Sequence, residues 1–179
     1  RRCAAPRPDP PDPGAAPPLI TFVSDFGHED WFVGVVHGVL LETCPRARVV
    51  DLTHAIPPGL VERAAFVLEA ACPDFPAGTV NLAVVDPGVG TGRRALAVRA
   101  RGQLFVGPDN GILEWALSAP EAEARMLGDE RWFRHPVSRT FHGRDVFAPV
   151  AAHLASGVPL DAFGPRITDP VRAPRPPVR

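Results

Sequence analysis

Residues 19–52, LITFVSDFGHEDWFVGVVHGVLLETCPRARVVDL, contain the pattern that decides the fold. The apolar run at 19–24 has the length of a buried strand, and a second such run follows at 48–52. Between them, residues 30–44 repeat apolar side chains at helical spacing until Pro45 ends the pattern. The stretch therefore predicts a strand, a helix and a second strand.

The alternation of strands and helices continues through most of the chain. The later segments, in chain order, are a helix at 60–72, strands at 79–85, 95–101 and 103–106, and short helices around 112–117 and 144–155. Strands that alternate with helices of ten or more residues form a largely parallel sheet with both faces covered. We therefore predict an α/β fold, with a mostly parallel central sheet and helices on both faces.

The composition is that of an ordinary globular protein. The chain has 179 residues, of which 45% are hydrophobic and 22% charged, enough for one domain with a real core. Its net charge of −1 argues against nucleic acid or an anionic membrane as a partner. There is no apolar run of about 18 residues and no signal-peptide pattern, so we expect no membrane span and a cytoplasmic protein.

The two ends differ in composition from the rest of the chain. Residues 1–18 and 170–179 are rich in Pro and Arg and hold too little apolar surface to order themselves. We predict a disordered Pro-rich tail at 1–18, a folded domain at 19–169 and a Pro/Arg-rich linker at 170–179.

The cysteines indicate a reducing compartment. Cys3, Cys44 and Cys72 are odd in number and have no C-x-x-C spacing, so neither a disulfide framework nor a zinc site is predicted. Cys44 and Cys72 each precede a proline at the end of an apolar segment. We predict that both are small buried side chains.

Acidic residues follow the predicted strands. Asp25, Asp51 and Asp86 each come at the end of an apolar run, and Asp109 follows the strand at 103–106. A single acid in such a place is most often a turn former or a helix cap. Ligands of open α/β sheets bind beyond the carboxyl ends of the strands, so four acids at one edge predict a binding site there.

A glycine-rich loop, AVVDPGVGTGRR at residues 83–94, carries one of these acids. Its glycines lack the G-x-G-x-x-G spacing of dinucleotide sites, a strand rather than a helix follows, and the chain has no Lys for a Walker A motif. Asp86 would also repel a phosphate. We predict that the loop lets the backbone approach a ligand closely and that Asp86 and Arg93 point into one space.

Several other residues are predicted to have structural roles. Three pairs contain metal-ligating residue types but lack a strong ligand spacing, so no metal site is predicted. These pairs are Asp51 with His54, His28 with Asp30, and His142 with Asp145. The aromatic residues expected in the core are Trp31, Phe32 and Trp115, and the histidines expected to pack or lie on a helix surface are His37 and His153. The arginines expected on a solvated strand face are Arg94, Arg99 and Arg101.

Five motifs, in one order, resemble a known family. They are DFGHED (25–30), VDLTHAIPP (50–58), VVDPGVGTGRR (84–94), VGPDNG (106–111) and TFHGRDVFAP (140–149). On these motifs the chain resembles the S-adenosylmethionine (SAM) hydroxide adenosyltransferases, which are similar in sequence to the SAM-dependent fluorinases and chlorinases. The resemblance runs from residue 19 to residue 169, and five motifs in register are far more specific than any one of them.

The resemblance implies an enzyme that hydrolyses SAM to adenosine and L-methionine, with water attacking C5′ of the ribose. Its implied catalytic triad is Asp86, Arg93 and His142. The implied substrate-binding residues are Asp25 at the ribose hydroxyls, Phe26, Asp30 at the methionine amino group, and Asn110 near the sugar. Asp51 and His54 match a family motif and are expected to support the rim, the edge of the sheet at which the four acids lie. SAM is the substrate, and neither a cofactor nor a metal is implied.

Two other interpretations stay open at this point, a halogenase and a non-catalytic SAM- or adenosine-binding module. The halogenases resemble this chain but carry Tyr where Asp86 stands and Tyr-Ser where His142 and Gly143 stand. A carboxylate at position 86 would repel a halide, so hydrolysis is the expected reaction. Family members continue into a smaller β-rich domain and form trimers. We therefore expect a homotrimer at full length and weak or absent activity of these 179 residues alone.

Overall fold

Strand β1 (Leu19–Ser24) is the first of seven strands in one mixed sheet. The computed structural model describes residues 16–173, so most of the tail predicted at 1–18 and of the linker predicted at 170–179 lies outside the described residues. The strands that follow are β2 (Arg48–Thr53), β3 (Val80–Val84), β4 (Ala95–Ala100), β5 (Gln103–Pro108), β6 (Glu123–Met126) and β7 (Arg166–Ile167). Their order across the sheet is β2-β1-β3-β5-β4-β6-β7.

The sheet has a parallel half and an antiparallel half. β1 pairs in parallel with β2 and β3, and β3 pairs in parallel with β5. β4 pairs antiparallel with β5 and β6, and β7 pairs antiparallel with β6. The α/β class is confirmed, but the prediction of a mostly parallel sheet is only partly right. A tight turn at Arg101 and Gly102, with φ of 55° and 73°, joins β4 to β5, and such a turn makes its two strands antiparallel.

Helices cover both faces of the sheet, as the alternating pattern predicts. They are α1 (Phe32–Thr43), α2 (Val61–Ala71), α3 (Glu114–Leu117) and α4 (Ala148–Ala155), with a π-helical turn at Gly143–Phe147 directly before α4. The core between the sheet and α1 and α4 contains Phe22 and Val84. Their chain neighbours Val23 and Val85 point the other way, into the core under α2 and α3.

Short 3₁₀ segments at Cys72–Asp74, Glu130–Trp132 and Leu160–Phe163 complete the regular structure. Cys44 and Cys72 are buried free thiols, as predicted, and burial raises the pKa of Cys72 to about 12. No helix within residues 16–173 is long and apolar enough to cross a membrane.

The prediction that Trp31 belongs to the core is wrong. Its side chain is 58% exposed and stacks on Phe32, with ring centroids 4.3 Å apart. Trp31 is the residue directly before α1, at the exposed end of the helix, where helical spacing does not ensure burial. Phe32 and Trp115 do pack against the two cores.

Candidate active site

A cavity of about 380 Å³ opens at the carboxyl ends of β1 and β3. Ser24 at the end of β1 pairs with Val84 at the end of β3, so the residues that follow both strands leave the sheet at one edge. The lining comes from the loops after β1, β2 and β3 and from the segment that precedes the π-helical turn. Its volume lies in the range of sites for small molecules.

Asp86, Arg93 and His142 form one hydrogen-bonded cluster at this cavity. Nε of Arg93 donates to Oδ1 of Asp86 at 2.8 Å, and Nη2 donates to the other carboxylate oxygen. The same Nη2 lies 2.8 Å from Nδ1 of His142. The side chains of Asp86 and Arg93 are only 6% and 12% exposed, so water screens their attraction weakly. Asp86 and Arg93 thus share one space, as the sequence of the loop predicts.

The contact with Arg93 fixes the tautomer of His142. A guanidinium has donors and no acceptor, so Nδ1 of His142 must accept, and the neutral ring carries its proton on Nε2. Burial lowers the pKa of His142 and the charge of Arg93 lowers it further, against the opposite effect of Asp86. The neutral imidazole is therefore favoured, with its Nε2–H left as a donor.

The glycine loop brings these groups together by approaching its own chain. Gly90 has φ of 76°, and a Cβ there would lie 2.4 Å from the carbonyl oxygen of Arg139. Only glycine permits this approach, which places the loop against the segment that leads to His142. The sequence predicts a close approach of this backbone to a ligand, whereas the approach seen at Gly90 is to another segment of the protein.

Asp25 and Phe26 line the same cavity. Oδ2 of Asp25 accepts a hydrogen bond from the backbone N–H of Gly59 at 2.9 Å, which joins the loop after β1 to the loop after β2. The ring of Phe26 packs closely against Gly143, where a Cβ would lie 3.0 Å from Cζ of the ring. Asp25, Phe26, Asp86 and His142 therefore surround one space.

Asp30 and Asn110 are outside the described lining of this cavity. Asp30 is exposed in the loop before α1. The side-chain amide of Asn110 donates to the carbonyl of Val85 at 2.9 Å, and its oxygen accepts from the N–H of Ile112 at 3.2 Å. Asn110 therefore supports the backbone that carries Asp86, one residue beyond Val85.

The family model for the SAM hydroxide adenosyltransferase N-terminal domain matches residues 20–164. The chain belongs to this family. Its motif residues Asp86 and Arg93, seven positions apart, and His142, a further 49 positions along the chain, are the three that the fold joins by hydrogen bonds.

Three known proteins show where the chain stands within the family. It is 52% identical to the (R)-S-adenosyl-L-methionine hydrolase of Salinispora tropica, covering 92% of this chain and 64% of that protein. It is 30% identical to a fluorinase of an Actinoplanes species, covering 88% of this chain and 61% of the fluorinase. A crystal structure of a conserved protein from Thermotoga maritima superimposes with a TM-score of 0.85 at 42% identity, covering 88% of this chain and 62% of that one. The chain thus spans about three fifths of the length of these relatives.

Asp109, another of the four rim acids, is engaged outside the cavity lining. Its Oδ2 accepts from Nε of Arg94 at 2.8 Å, and its Oδ1 accepts from the N–H of Val171 at 2.7 Å. Arg94 also donates to Asp169 at 2.8 Å, so the prediction that Arg94 lies on a solvated strand face is wrong. The hydrogen bonds to Asp109 and Asp169 hold the side chain of Arg94 against the C-terminal segment. Arg99 is 62% exposed, in agreement with its prediction.

Asp51 lies within β2 and contacts two imidazoles, those of His37 and His54. His54 is fully buried, and its Nδ1 lies 2.7 Å from Oγ of Ser24. The carbonyl of His54 accepts from the N–H of Gly27 at 2.9 Å, so His54 supports the loop that carries Asp25. The sequence does not reveal that His37 reaches Asp51, because the contact joins α1 to β2 across 14 positions of the chain.

Asp145 is a further residue whose role the sequence does not disclose. It is buried, pairs with Arg144, and accepts from the N–H of Ser138 at 2.8 Å through Oδ2. These contacts shape the segment that leads to Thr140 and Phe141, which also line the cavity. The motif TFHGRDVFAP contains all three residues and is the sequence signal that points to them.

Proposed function

We propose that this chain is the catalytic N-terminal domain of an enzyme that hydrolyses SAM to adenosine and L-methionine. The observation that carries the proposal is the cluster of Asp86, Arg93 and His142 at a cavity of small-molecule size. The membership of the chain in the SAM hydroxide adenosyltransferase family supports the choice of substrate. A halide would meet the carboxylate of Asp86 at this cavity, which disfavours halogenation.

The main requirement of this reaction is the activation of water as a nucleophile, because the leaving group needs no assistance. Methionine leaves C5′ as a neutral thioether, taking the electron pair of the S–C5′ bond onto sulfur. Water has a pKa of about 15.7 and is a poor nucleophile at neutral pH. Asp86 accepts one proton of the water as the O–C5′ bond forms, and the proton then passes to solvent.

Arg93 and His142 prepare the carboxylate and the water. The two-point contact with Arg93 fixes the plane of Asp86 and offsets the negative charge that develops on the attacking oxygen. The Nε2–H of neutral His142 donates to the same oxygen and orients its lone pair toward C5′. Neither step requires a cofactor.

We propose that the sugar of SAM lies between Asp25 and Asp86. Asp25 receives one N–H from Gly59, which leaves its other oxygen to accept from the ribose hydroxyls. Phe26 forms one wall, and Asn110 holds the backbone next to Asp86 at the sugar end. The exposed carboxylate of Asp30 receives the amino group of methionine.

We further propose a cytoplasmic homotrimer whose protomers each contain a catalytic domain at residues 19–169, between a Pro-rich tail and a linker. The described strands and helices run from Leu19 to Ile167, and Asp169 is still bound by Arg94, which supports these bounds. The exposed ring of Trp31 lies 5.9 Å from the ring of Phe141 at the cavity. This apolar edge is the kind of surface that a neighbouring protomer covers.

Product analysis tests the reaction. The full-length protein is incubated with SAM, with and without added chloride or fluoride, and its products are separated by chromatography. Hydrolysis predicts adenosine and methionine in equal amounts under all conditions. A 5′-halogenated adenosine would instead identify a halogenase, and bound SAM without products would identify a binding module.

A further inference from the structure

Two imidazoles and one carboxylate from different elements meet at the outer edge of the sheet. Nε2 of His37, on α1, lies 2.8 Å from Oδ1 of Asp51, on β2. Nε2 of His54, just after β2, lies 2.9 Å from the same oxygen. All three atoms lie within 4.8 Å of one another. The cluster is separate from the cavity, which none of the three residues lines.

His54 contributes a buried nitrogen that lacks a hydrogen bond. Its side chain is fully buried, and Nδ1 is already engaged by Oγ of Ser24. Nε2 lies 2.9 Å from Oδ1 of Asp51 as a charged contact, and no hydrogen bond of good geometry reaches it from residues 16–173. In the tautomer in which Nδ1 donates to Oγ of Ser24, Nε2 carries the lone pair, and a cation in that space would satisfy this buried atom.

The surroundings suit a cation of the zinc class. The ring of Phe22 packs against both His54 and His37, with centroids 4.6 Å and 6.2 Å away, and forms an apolar floor. The side chains of His37 and Asp51 are 29% and 36% exposed, which leaves a path for entry and room for water ligands. The contact of Ser24 with Nδ1 fixes the orientation of the His54 ring, as outer partners of metal-bound histidines do.

We propose that His37, Asp51 and His54 bind one divalent cation of the Zn²⁺ class. Two imidazole nitrogens and one carboxylate oxygen form a donor set that such ions favour, with solvent completing the coordination. Bonds of about 2.0–2.2 Å would hold the three donor atoms roughly 3.3 Å apart. The present spacings of 2.8 and 2.9 Å would need to widen slightly, by rotation of the partly exposed side chains of His37 and Asp51. The hydrogen bond between Nε2 of His37 and Asp51 would be replaced by bonds to the cation, with the ring proton of His37 on Nδ1.

The bound cation would join three parts of the fold. It would tie α1 to β2 and, through His54, to Ser24 and the loop that carries Asp25. Its effect is on the stability and position of that loop, and no step of the reaction passes through it. The inference does not rest on the proposed function, and its test contains no measurement of turnover.

The untagged chain, freed of metal with a chelator, is titrated with Co²⁺ as a spectroscopic substitute for Zn²⁺. One equivalent is expected to develop visible absorption stronger than that of the aqueous ion, and Zn²⁺ is expected to abolish it. His37→Gln and Asp51→Asn should each weaken binding by at least about 10-fold, whereas His135→Gln, an exposed histidine elsewhere, should not. Circular dichroism of each metal-free variant establishes that it is folded. Unchanged binding in both cluster variants, or no absorption above that of free Co²⁺, would overturn the proposal.

A second measurement locates the ion without any variant. Crystals grown with Zn²⁺ are measured on both sides of the zinc absorption edge. An anomalous peak between His37, Asp51 and His54 supports the site. A peak at His142 and Asp86 instead, or none within the protein, contradicts it.

Discussion

Arg93 donates from one nitrogen to both Asp86 and His142, and its 2.8 Å contact with Nδ1 of His142 determines which ring nitrogen keeps the proton. One guanidinium thereby gives the two side chains complementary roles. The carboxylate is oriented to accept a proton, and the imidazole is held neutral with a donor on Nε2. Cζ of Arg93 also lies 5.1 Å from the centroid of the Phe147 ring. This cation–π contact helps to fix the position of the guanidinium.

Removing the charge of Asp86 should impair turnover far more than binding. Asp86→Asn keeps the shape of the side chain but cannot accept the proton of water, so kcat should fall by roughly 10²–10⁴-fold. The affinity for SAM, measured by calorimetry, should change only a few-fold. Asp161→Asn, an exposed acid remote from the cavity, serves as the matched control. Equal losses in kcat and in affinity would assign Asp86 to substrate binding instead.

The activity should resist mild acid because the pKa of His142 is lowered. Burial and the charge of Arg93 hold this pKa below its ordinary value of 6.5, so the ring stays neutral into weakly acidic solution. Once protonated, Nδ1 no longer accepts from Arg93. The acid limb of the kcat profile should therefore have its midpoint below 6.5, as measured under saturating SAM. A midpoint above that value would mean that the ring is stabilised in its charged form.

Stability should decline as the pH falls through the histidine range. Burial is the main cause that lowers the pKa values of His54, His142 and His153, so all three favour the neutral form when folded. The unfolded chain then binds more protons below about pH 6.5, and the free energy of unfolding decreases there while it is fully retained above. Denaturant titrations between about pH 5 and 8 measure this slope.

His153→Leu isolates one part of that slope. Nδ1 of His153 is buried without a hydrogen bond among residues 16–173, and its ring packs on Trp132 with centroids 4.9 Å apart. Leucine keeps an apolar contact and cannot be protonated, so the loss of stability in acid should be smaller in the variant. His135→Gln removes an exposed histidine and should leave the slope nearly unchanged. The account of His153 fails if the two variants show the same slope.

Glycines of one loop should differ sharply in their tolerance of alanine. Gly90→Ala combines φ of 76° with a Cβ only 2.4 Å from the carbonyl oxygen of Arg139, so it should cost about 1–3 kcal/mol or more and lower activity. Gly92→Ala, two residues later, meets no atom within 4 Å and should have little effect on either. Thermal unfolding and adenosine release measure both variants. Equal effects would show that the approach to Arg139 is unimportant.

The sequence predicts well those parts of the fold that local patterns determine. The strands and helices up to β3 follow long apolar segments with clear ends, and the rim at Asp25 and Asp86 follows from the direction of parallel strands. In the antiparallel half, β4 follows a predicted strand, but β6 (Glu123–Met126) and β7 (Arg166–Ile167) do not, because they are short and carry charged residues. Their pairing depends on neighbours distant in the chain.

The candidate site is likewise only partly predictable from the sequence. Resemblance to a family named Asp86, Arg93 and His142, but no sequence spacing shows that one Nη2 of Arg93 joins the other two side chains. The sequence also does not reveal the contact of His37 with Asp51. Nor does it reveal the hydrogen bonds that Arg94 donates to Asp109 and Asp169. Each depends on how elements pack in three dimensions, which a periodic pattern does not encode.

The origin of the oxygen in the product tests the central claim most directly. The full-length protein is incubated with SAM in water enriched in oxygen-18, and the adenosine is examined by mass spectrometry. Attack of water at C5′ predicts one heavy oxygen, located in the 5′-hydroxyl group, with unlabelled methionine. Adenosine without the label, or a 5′-halogenated product in the presence of chloride, would contradict the account.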